Sequence, residues 1–176
     1  MIARVPPPTS VADLRRYSDA NPGWQIERDA DGTILMSPTN TDGGRRNSRL
    51  NYLVEAWNGR ARGGYVFDSS TGFTMPDGAI LSPDCAWVRA DRWRALAAAE
   101  RLGYARIVPD VCIEIVSPSP SNAELVRKAR RYRGYGASYV LVLDPQRRAV
   151  WAEGSAPDGF PTDFSRVITD DEPEAP

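Results

Sequence analysis

The strongest constraint on the fold is an apolar run at residues 111–116, VCIEIV, in which Glu114 is the one charged residue. Near-continuous apolar runs of this kind are typical of central strands that are buried on both faces. A helical pattern follows from about residue 122 to residue 133, and a second apolar strand is predicted at residues 139–143. A strand, a helix and a strand in this order favour a right-handed crossover between parallel strands. The sequence therefore predicts an α/β protein with a mixed central β-sheet flanked by helices.

Further elements follow from hydrophobic periodicity and from turn residues. Helices are predicted at about residues 10–20, capped by Thr9 or Ser10, at 47–62, and at 92–99, capped by Asp91. Strands are predicted at residues 24–28, 33–37, 65–68, 71–75 and 149–152, and residues 80–88 include a short strand that follows Pro83 and Asp84.

The length of 176 residues fits one domain with its own core. Three consecutive prolines make residues 1–8 a flexible lead, because proline is excluded from a helix interior. Residues 9–155 form the predicted domain. Residues 156–176 are acidic and rich in proline, and we expect a poorly ordered tail there.

Histidine is absent from the sequence, which excludes Ser-His-Asp and Cys-His nucleophile systems and histidine metal sites. The two cysteines, Cys85 and Cys112, lie in apolar runs without zinc-site spacing and are predicted to be buried thiols. A metal ion would therefore be held by oxygen ligands, which favours Mg²⁺ or Mn²⁺.

The charge and the apolar pattern bear on partners and compartment. Acidic side chains concentrate after residue 152, so the preceding body is mildly basic and suited to a polyanion. The sequence has no apolar run of membrane-spanning length and no secretory signal at its N-terminus, which predicts a cytoplasmic protein that does not enter membranes.

Glu114 is the first candidate for chemistry, because a carboxylate inside an apolar strand is costly unless a cation meets it. Strand alternation places Cys112, Glu114 and Val116 on one face. Asp84 follows Pro83 at the start of a strand, and the two carboxylates could share a divalent cation if their strands are neighbours. Asp110 is the rival partner, although its spacing of four residues puts it about 13 Å from Glu114 along an extended chain.

Lys128 is the second candidate, because it is the only lysine among 22 basic side chains. A compact ammonium can point at one atom, which a planar guanidinium cannot do. Its spacing of three from Leu125 and four from Tyr132 puts it toward the buried side of the predicted helix.

Several alternatives remain open on the residues alone. Glu114 could pair with an arginine, and the arginines around Lys128 could form a solvated helix face or contact phosphate. The start of the second helix could bind phosphate through Arg45, Arg46, Asn47 and Arg49. Glu27 is a further possible metal ligand. A Ser-Lys hydrolase could use Ser117, Ser119 or Ser121 with Lys128 as base.

These residues belong to three motifs: STGFTMPDGAILSPDCAWVRADRW, PDVCIEIVSPSPS and KARRYRGYGASYVLVLDPQRRAVW. Over about residues 24–152, the chain resembles the Uma-type family of restriction endonucleases in the PD-(D/E)XK nuclease superfamily. The resemblance implies a restriction-endonuclease-like core. It also implies that Asp84, Glu114 and the main-chain carbonyl near Ile115 bind Mg²⁺, and that Lys128 places or activates the attacking water.

The chain departs from the family pattern at two positions. The superfamily motif has lysine two residues after the second acid, where this chain has Val116, so the resemblance implies that Lys128 supplies the ammonium instead. Many family members have histidine where this chain has Asn47. The Lys-x-x-x-Tyr spacing adds Tyr132 as a further site candidate.

The leading functional prediction is a Mg²⁺-dependent endonuclease that hydrolyses phosphodiester bonds of DNA. The alternative is a catalytically inactive nuclease fold that binds nucleic acid or a protein partner, which the Val116 departure favours. A homodimer is also an expectation, since cutting both strands of a duplex usually needs two sites.

Overall fold

The computed structural model describes residues 3–5, 10–22, 24–38, 40–117 and 122–169. Five α-helices occur in this part of the chain: α1 (Val11–Ala20), α2 (Thr41–Ala61), α3 (Ala90–Ala95), α4 (Asn122–Tyr135) and α5 (Ser165–Ile168). The strands in the same part are β1 (Ala3–Val5), β2 (Trp24–Arg28), β3 (Ile34–Pro38), β4 (Gly64–Asp68), β5 (Phe73–Thr74), β6 (Ile80–Leu81), β7 (Cys85–Arg89), β8 (Val111–Ile115), β9 (Tyr139–Asp144) and β10 (Ala149–Gly154).

The central sheet has the strand order β10-β9-β8-β7-β4. Strands β8 and β9 are parallel, and the helix α4 connects them, as the sequence predicts. The other neighbours in this sheet are antiparallel, so the sheet is mixed. The predicted α/β class and the central mixed sheet flanked by helices are confirmed.

The two faces of the central sheet carry separate cores. Strand residues of one parity, including Cys112 and Val142, pack with Ala129 and Tyr132 of α4. Residues of the other parity, including Ile113, pack with Leu50, Val54 and Trp57 of α2 and with the C-terminal segment. This division follows from the period-2 alternation of strand side chains.

A second sheet, which the sequence analysis did not separate from the first, has the order β1-β3-β2-β6-β5. The predicted hairpin forms β2 and β3, and Ile26, Ile34 and Met36 pack with Leu14 of α1 in a third core. The predicted short strand after Pro83 and Asp84 is β7 of the central sheet, while β6 just before it pairs in the second sheet. The predicted strand at 71–75 contracts to β5.

Two predicted helix starts are wrong. Helix α2 begins at Thr41 rather than residue 47, because Asn40 caps it by accepting a hydrogen bond of 2.7 Å from the Gly43 amide. The N-cap of α3 is Arg89, which makes no side-chain cap bond. The predicted cap, Asp91, accepts a 2.7 Å hydrogen bond from the Arg89 guanidinium instead. The Ser10 cap of α1 is observed, while Thr9 lies outside the described residues.

Both chain ends contribute more structure than expected. Within the predicted flexible lead, β1 pairs with β3 along residues 3–5. Within the predicted tail, Phe160, Phe164 and Val167 are buried against α2 and the central sheet. The apolar residues of this segment continue the core beyond the predicted boundary at residue 155. No helix in the described part of the chain is long and apolar enough to cross a membrane.

We predict that Phe164→Ala lowers the free energy of unfolding by about 3 to 5 kcal/mol, because it leaves a cavity beneath the C-terminal segment. Chemical denaturation measures the change. The exposed residue Leu102 gives the matched control, since Leu102→Ala should change stability by less than about 0.5 kcal/mol. Equal, small effects of the two substitutions would show that this segment does not belong to the core.

Candidate active site

The pairing of β7 and β8 brings two carboxylates together. The strands are antiparallel neighbours with Cys85 opposite Ile113, and the same register continued by one residue sets Asp84 opposite Glu114. Directly opposed residues of antiparallel strands have Cβ atoms about 4.5 to 5.5 Å apart and lie on one face. The sequence prediction that the two acids lie on neighbouring strands is confirmed. Asp84 is placed there by the break between β6 and β7.

Glu114 is almost completely buried, with 3% of its surface exposed. Its Oε1 atom lies 2.7 Å from the Lys128 Nζ atom and accepts a 3.1 Å hydrogen bond from the Tyr132 hydroxyl. The partner of the buried carboxylate is therefore lysine, and the arginine pairing considered from the sequence is not observed. Burial raises the pKa of the Glu114 carboxyl, and the Lys128 ammonium opposes that rise.

Lys128 joins three elements of the fold. Its Nζ atom lies 2.8 Å from Oε1 of Glu27 on β2, in addition to its contact with Glu114 on β8. It also donates a 3.1 Å hydrogen bond to the Ser82 carbonyl. Burial alone would lower the pKa of Lys128, but the two glutamates outweigh it and hold that pKa above its ordinary value. Lys128 therefore carries a proton and is unsuited to act as a base.

Asp84 is half-buried at the edge of this cluster. One of its carboxylate oxygens accepts a 2.7 Å hydrogen bond from the main-chain amide of Ile115. Burial raises the pKa of Asp84, while the Ile115 amide, Lys128 and a hydrogen bond from the Asn47 side chain lower it. Asn47 reaches this position from the second turn of α2, well inside the helix.

The second sheet supplies a supporting layer that the sequence analysis missed. The Ser82 amide donates a 2.6 Å hydrogen bond to Glu27, and Gln25 donates a 2.8 Å hydrogen bond to the Ser82 carbonyl. Gln25 and Glu27 alternate with buried Ile26 on β2, so they share the face turned away from the third core. The sequence pattern of such a face is the same as that of a solvent-exposed one, so the sequence indicates only Glu27, as a possible metal ligand.

Other sequence candidates lie elsewhere. Asp110, at the opposite end of β8, is ion-paired with Arg92 at 2.8 Å and accepts a hydrogen bond from the Arg89 amide. It is therefore not the partner of Glu114. Ser117 is exposed, Ser119 and Ser121 lie outside the described residues, and protonated Lys128 removes the base that a Ser-Lys hydrolase needs.

The possible phosphate contacts of Arg45, Arg46, Asn47 and Arg49 depended on a helix N-terminus that the structure places elsewhere. Residues 45–49 lie inside α2, because the helix starts at Thr41. Arg46 is buried and ion-paired with Asp42 at 2.8 Å, and Arg49 donates a hydrogen bond to the main-chain carbonyl of Arg166. These arginines attach α2 to its own first turn and to α5.

Comparison with known proteins agrees with this architecture. The family model named Uma2, described as "Putative restriction endonuclease", matches residues 11–156. The chain belongs to the Uma2 family. Membership supports a nuclease function, and it confirms the resemblance seen in the three sequence motifs. No curated protein matches the chain significantly.

A solved structure shares the Uma2 chain's fold. It is the crystal structure of a putative nuclease belonging to DUF820 from Anabaena variabilis, with a TM-score of 0.65 and 18% sequence identity. The match covers 84% of this chain and 80% of that one. At this identity, the likeness concerns the fold.

The charge balance of the site is compatible with a divalent cation. Three carboxylates, those of Glu27, Asp84 and Glu114, share one ammonium. Glu27 is directed at Lys128, and no group of three or more metal-ligating side chains is found within the described residues. The site therefore offers two carboxylates, which suits Mg²⁺, because this ion usually keeps several waters and takes one or two carboxylates.

We predict that Lys128→Met lowers the free energy of unfolding by about 3 kcal/mol, because it leaves two buried glutamates without their cation. Adding Glu114→Gln to the Lys128→Met variant should restore about 1 kcal/mol or more of the free energy of unfolding, since the two side chains are in contact. Denaturation of the wild type, both single variants and the double variant measures the coupling.

The exposed residue Arg130 on the same helix supplies the control, and Arg130→Met should change stability by less than about 0.5 kcal/mol. Strict additivity of the two site substitutions would contradict an ion pair between Lys128 and Glu114.

Proposed function

We propose that this Uma2-family protein is a divalent-metal-dependent endonuclease that hydrolyses phosphodiester bonds in DNA. Asp84, Glu114 and the main-chain carbonyl of Ile115 would hold Mg²⁺, with Mn²⁺ as a substitute. The observation that carries the proposal is the contact of 2.7 Å between the only lysine and a carboxylate buried beside a second carboxylate. Opposed acids and an adjacent ammonium are what phosphoryl transfer requires, because its catalysis depends on positioning and charge stabilisation.

The roles of the side chains follow from their contacts. A bound divalent cation would supply Lewis-acid stabilisation of phosphate charge and make a water molecule more acidic. Lys128 supplies a fixed positive charge for the transition state, because its raised pKa keeps it protonated. Glu27 holds the ammonium from one side, and the Tyr132 hydroxyl orients the Glu114 carboxylate from the other. The Asp84 carboxylate is oriented by the Ile115 amide.

The valine at position 116 does not remove the ammonium from the site. Val116 is buried on the same face as Glu114 and belongs to the core beneath α4. Lys128 approaches Glu114 from that helix, so the charge that the superfamily motif takes from the strand comes here from α4. Because the site keeps a lysine ammonium, we favour an active enzyme over a nuclease fold that only binds.

DNA is the proposed substrate because the family is described as restriction endonucleases and the body of the chain is mildly basic. Within the basic cluster of α4, Arg131 is committed to an ion pair with Asp29 at 2.8 Å, while Arg130 is exposed. A homodimer remains part of the proposal, since two active sites would let the protein cut both strands of a duplex. We place the enzyme in the cytoplasm.

We predict that the wild type nicks or linearises plasmid DNA with Mg²⁺ or Mn²⁺, and that Glu114→Gln and Lys128→Ala each lower the rate at least about 100-fold. Gel analysis of supercoiled plasmid measures the rate. Asp110→Asn is the matched control, because Asp110 is a buried acid that immediately precedes the same strand outside the site, and its variant should keep most of the activity. Equal cleavage by all four proteins would reveal a contaminant, and cleavage by none would favour the inactive alternative.

We also predict that Mg²⁺ at about 100 times its dissociation constant raises the melting temperature by about 5 °C or more, since only the folded state binds it. Asp84→Asn should abolish this shift while leaving the metal-free protein folded, because the change removes one of three crowded negative charges. Thermal denaturation with and without Mg²⁺ measures both effects. If Mg²⁺ still raised the melting temperature of Asp84→Asn, the metal site would have to lie away from the acid pair.

A further inference from the structure

An apolar cavity of about 230 Å³ lies between the first half of α4 and strands β9 and β10. Val116, Leu125, Val142 and Trp151 form much of its wall. Its polar lining comes from Asp144 and Arg147, which are ion-paired at 2.7 Å. A mainly apolar wall with a few polar groups is typical of a small-ligand pocket. We call this space the Trp151 cavity.

The strand register connects the Trp151 cavity to the acidic site. Glu114 pairs with Val142 across β8 and β9, and Val142 pairs with Trp151 across β9 and β10. Paired residues in neighbouring strands project on the same face of a sheet, so the three side chains form one row on the α4 face. Strands lie about 4.8 Å apart, which puts Trp151 about 10 Å from Glu114 between Cα atoms.

Two further connections lead to the same place. Val116 follows Glu114 by two residues along the chain of β8, and both pack on the α4 side of the sheet. On α4, Leu125 precedes Lys128 by three residues, so the two side chains lie on one helix face. The cavity wall and the acidic site are therefore built from adjacent positions on the same strand, sheet row and helix.

Trp151 presents a large aromatic surface at this position. Its side chain is 38% exposed on β10, an edge strand whose residues are all exposed. Nucleobases that are not paired stack on such side chains, and the stacking strengthens binding whatever the base. Enzymes that modify a nucleobase turn that base out of its stack into a fitted pocket, which shows that a protein cavity can hold one base.

We infer that the Trp151 cavity binds one unpaired nucleobase of the substrate strand, stacked on the indole of Trp151. This inference rests on the proposed nuclease function. The competing occupant is a second copy of the chain paired along β10. The cavity and the acidic site share one strand, one row of the sheet and one helix, and this favours the nucleobase as the occupant.

The test compares two fluorescent probes, a short oligothymidylate and an abasic oligomer of the same length, with Ca²⁺ replacing Mg²⁺ to limit cleavage. The wild type should bind the oligothymidylate about tenfold more tightly, the effect of about 1.4 kcal/mol of stacking. Trp151→Leu should bring the ratio of the two dissociation constants close to one, and Trp151→Phe should restore most of it. Trp24→Leu is the matched control, because Trp24 is 40% exposed but lies in the other sheet.

A second variant tests the cavity without a substitution in β10, so its result does not depend on whether Trp151→Leu misfolds. Val126 lines the cavity from an exposed position on α4, so Val126→Trp should fill the space without disturbing the core and should also abolish the preference. A preference that survives both Trp151→Leu and Val126→Trp would overturn the inference. The inference would also be overturned if replacing Trp151 changed the oligomeric mass and left the preference for the oligothymidylate unchanged.

The outcome separates the inference from the proposed function. A wild type that cleaves plasmid but binds both oligomers equally would overturn the nucleobase pocket and leave the nuclease intact. A wild type that neither binds the oligomers nor cleaves DNA would overturn the nuclease proposal, and the pocket would fall with it.

Discussion

The ammonium of Lys128 lies between two glutamates that come from different sheets. Glu114 belongs to the central sheet and Glu27 to the second sheet, and both lie within 2.8 Å of the Nζ atom. A buried carboxylate without a cation would cost several kcal/mol, so neither glutamate can occupy its position unless α4 docks with Lys128 inward. The two ion pairs of Lys128 thus assemble the site and fix the position of both sheets against α4.

This arrangement makes the site a product of packing rather than of a flexible loop. Glu114 and Tyr132 project from a strand and a helix that contribute Cys112 and Ala129 to the core beneath α4. A rigid strand and helix hold their side chains more precisely than a loop does. This precision suits phosphoryl transfer, because its catalysis depends on positioning. The Trp151 cavity uses the same elements one row further along the sheet.

Much of the central sheet was predictable. The apolar pattern at residues 111–116 and 139–143 identified two buried strands, and the structure confirms both and their connection by α4. The start of α2 was missed, because residues 40–44, which read NTDGG, have the composition of a loop. The division into two sheets was also missed, since only pairing partners assign β6 to one sheet and β7 to the other.

The sequence by itself determined which residues could meet. Strand alternation put Glu114 on the face of Cys112 and Val116, and helical spacing turned Lys128 toward the interior, because both periods are properties of the local backbone. Only the tertiary structure decided which partners they met. Glu27, the Ser82 carbonyl and Gln25 come from another sheet, and no local period connects residues so distant in the chain. Strand pairing and helix docking bring them together, and both depend on the packing of the whole domain.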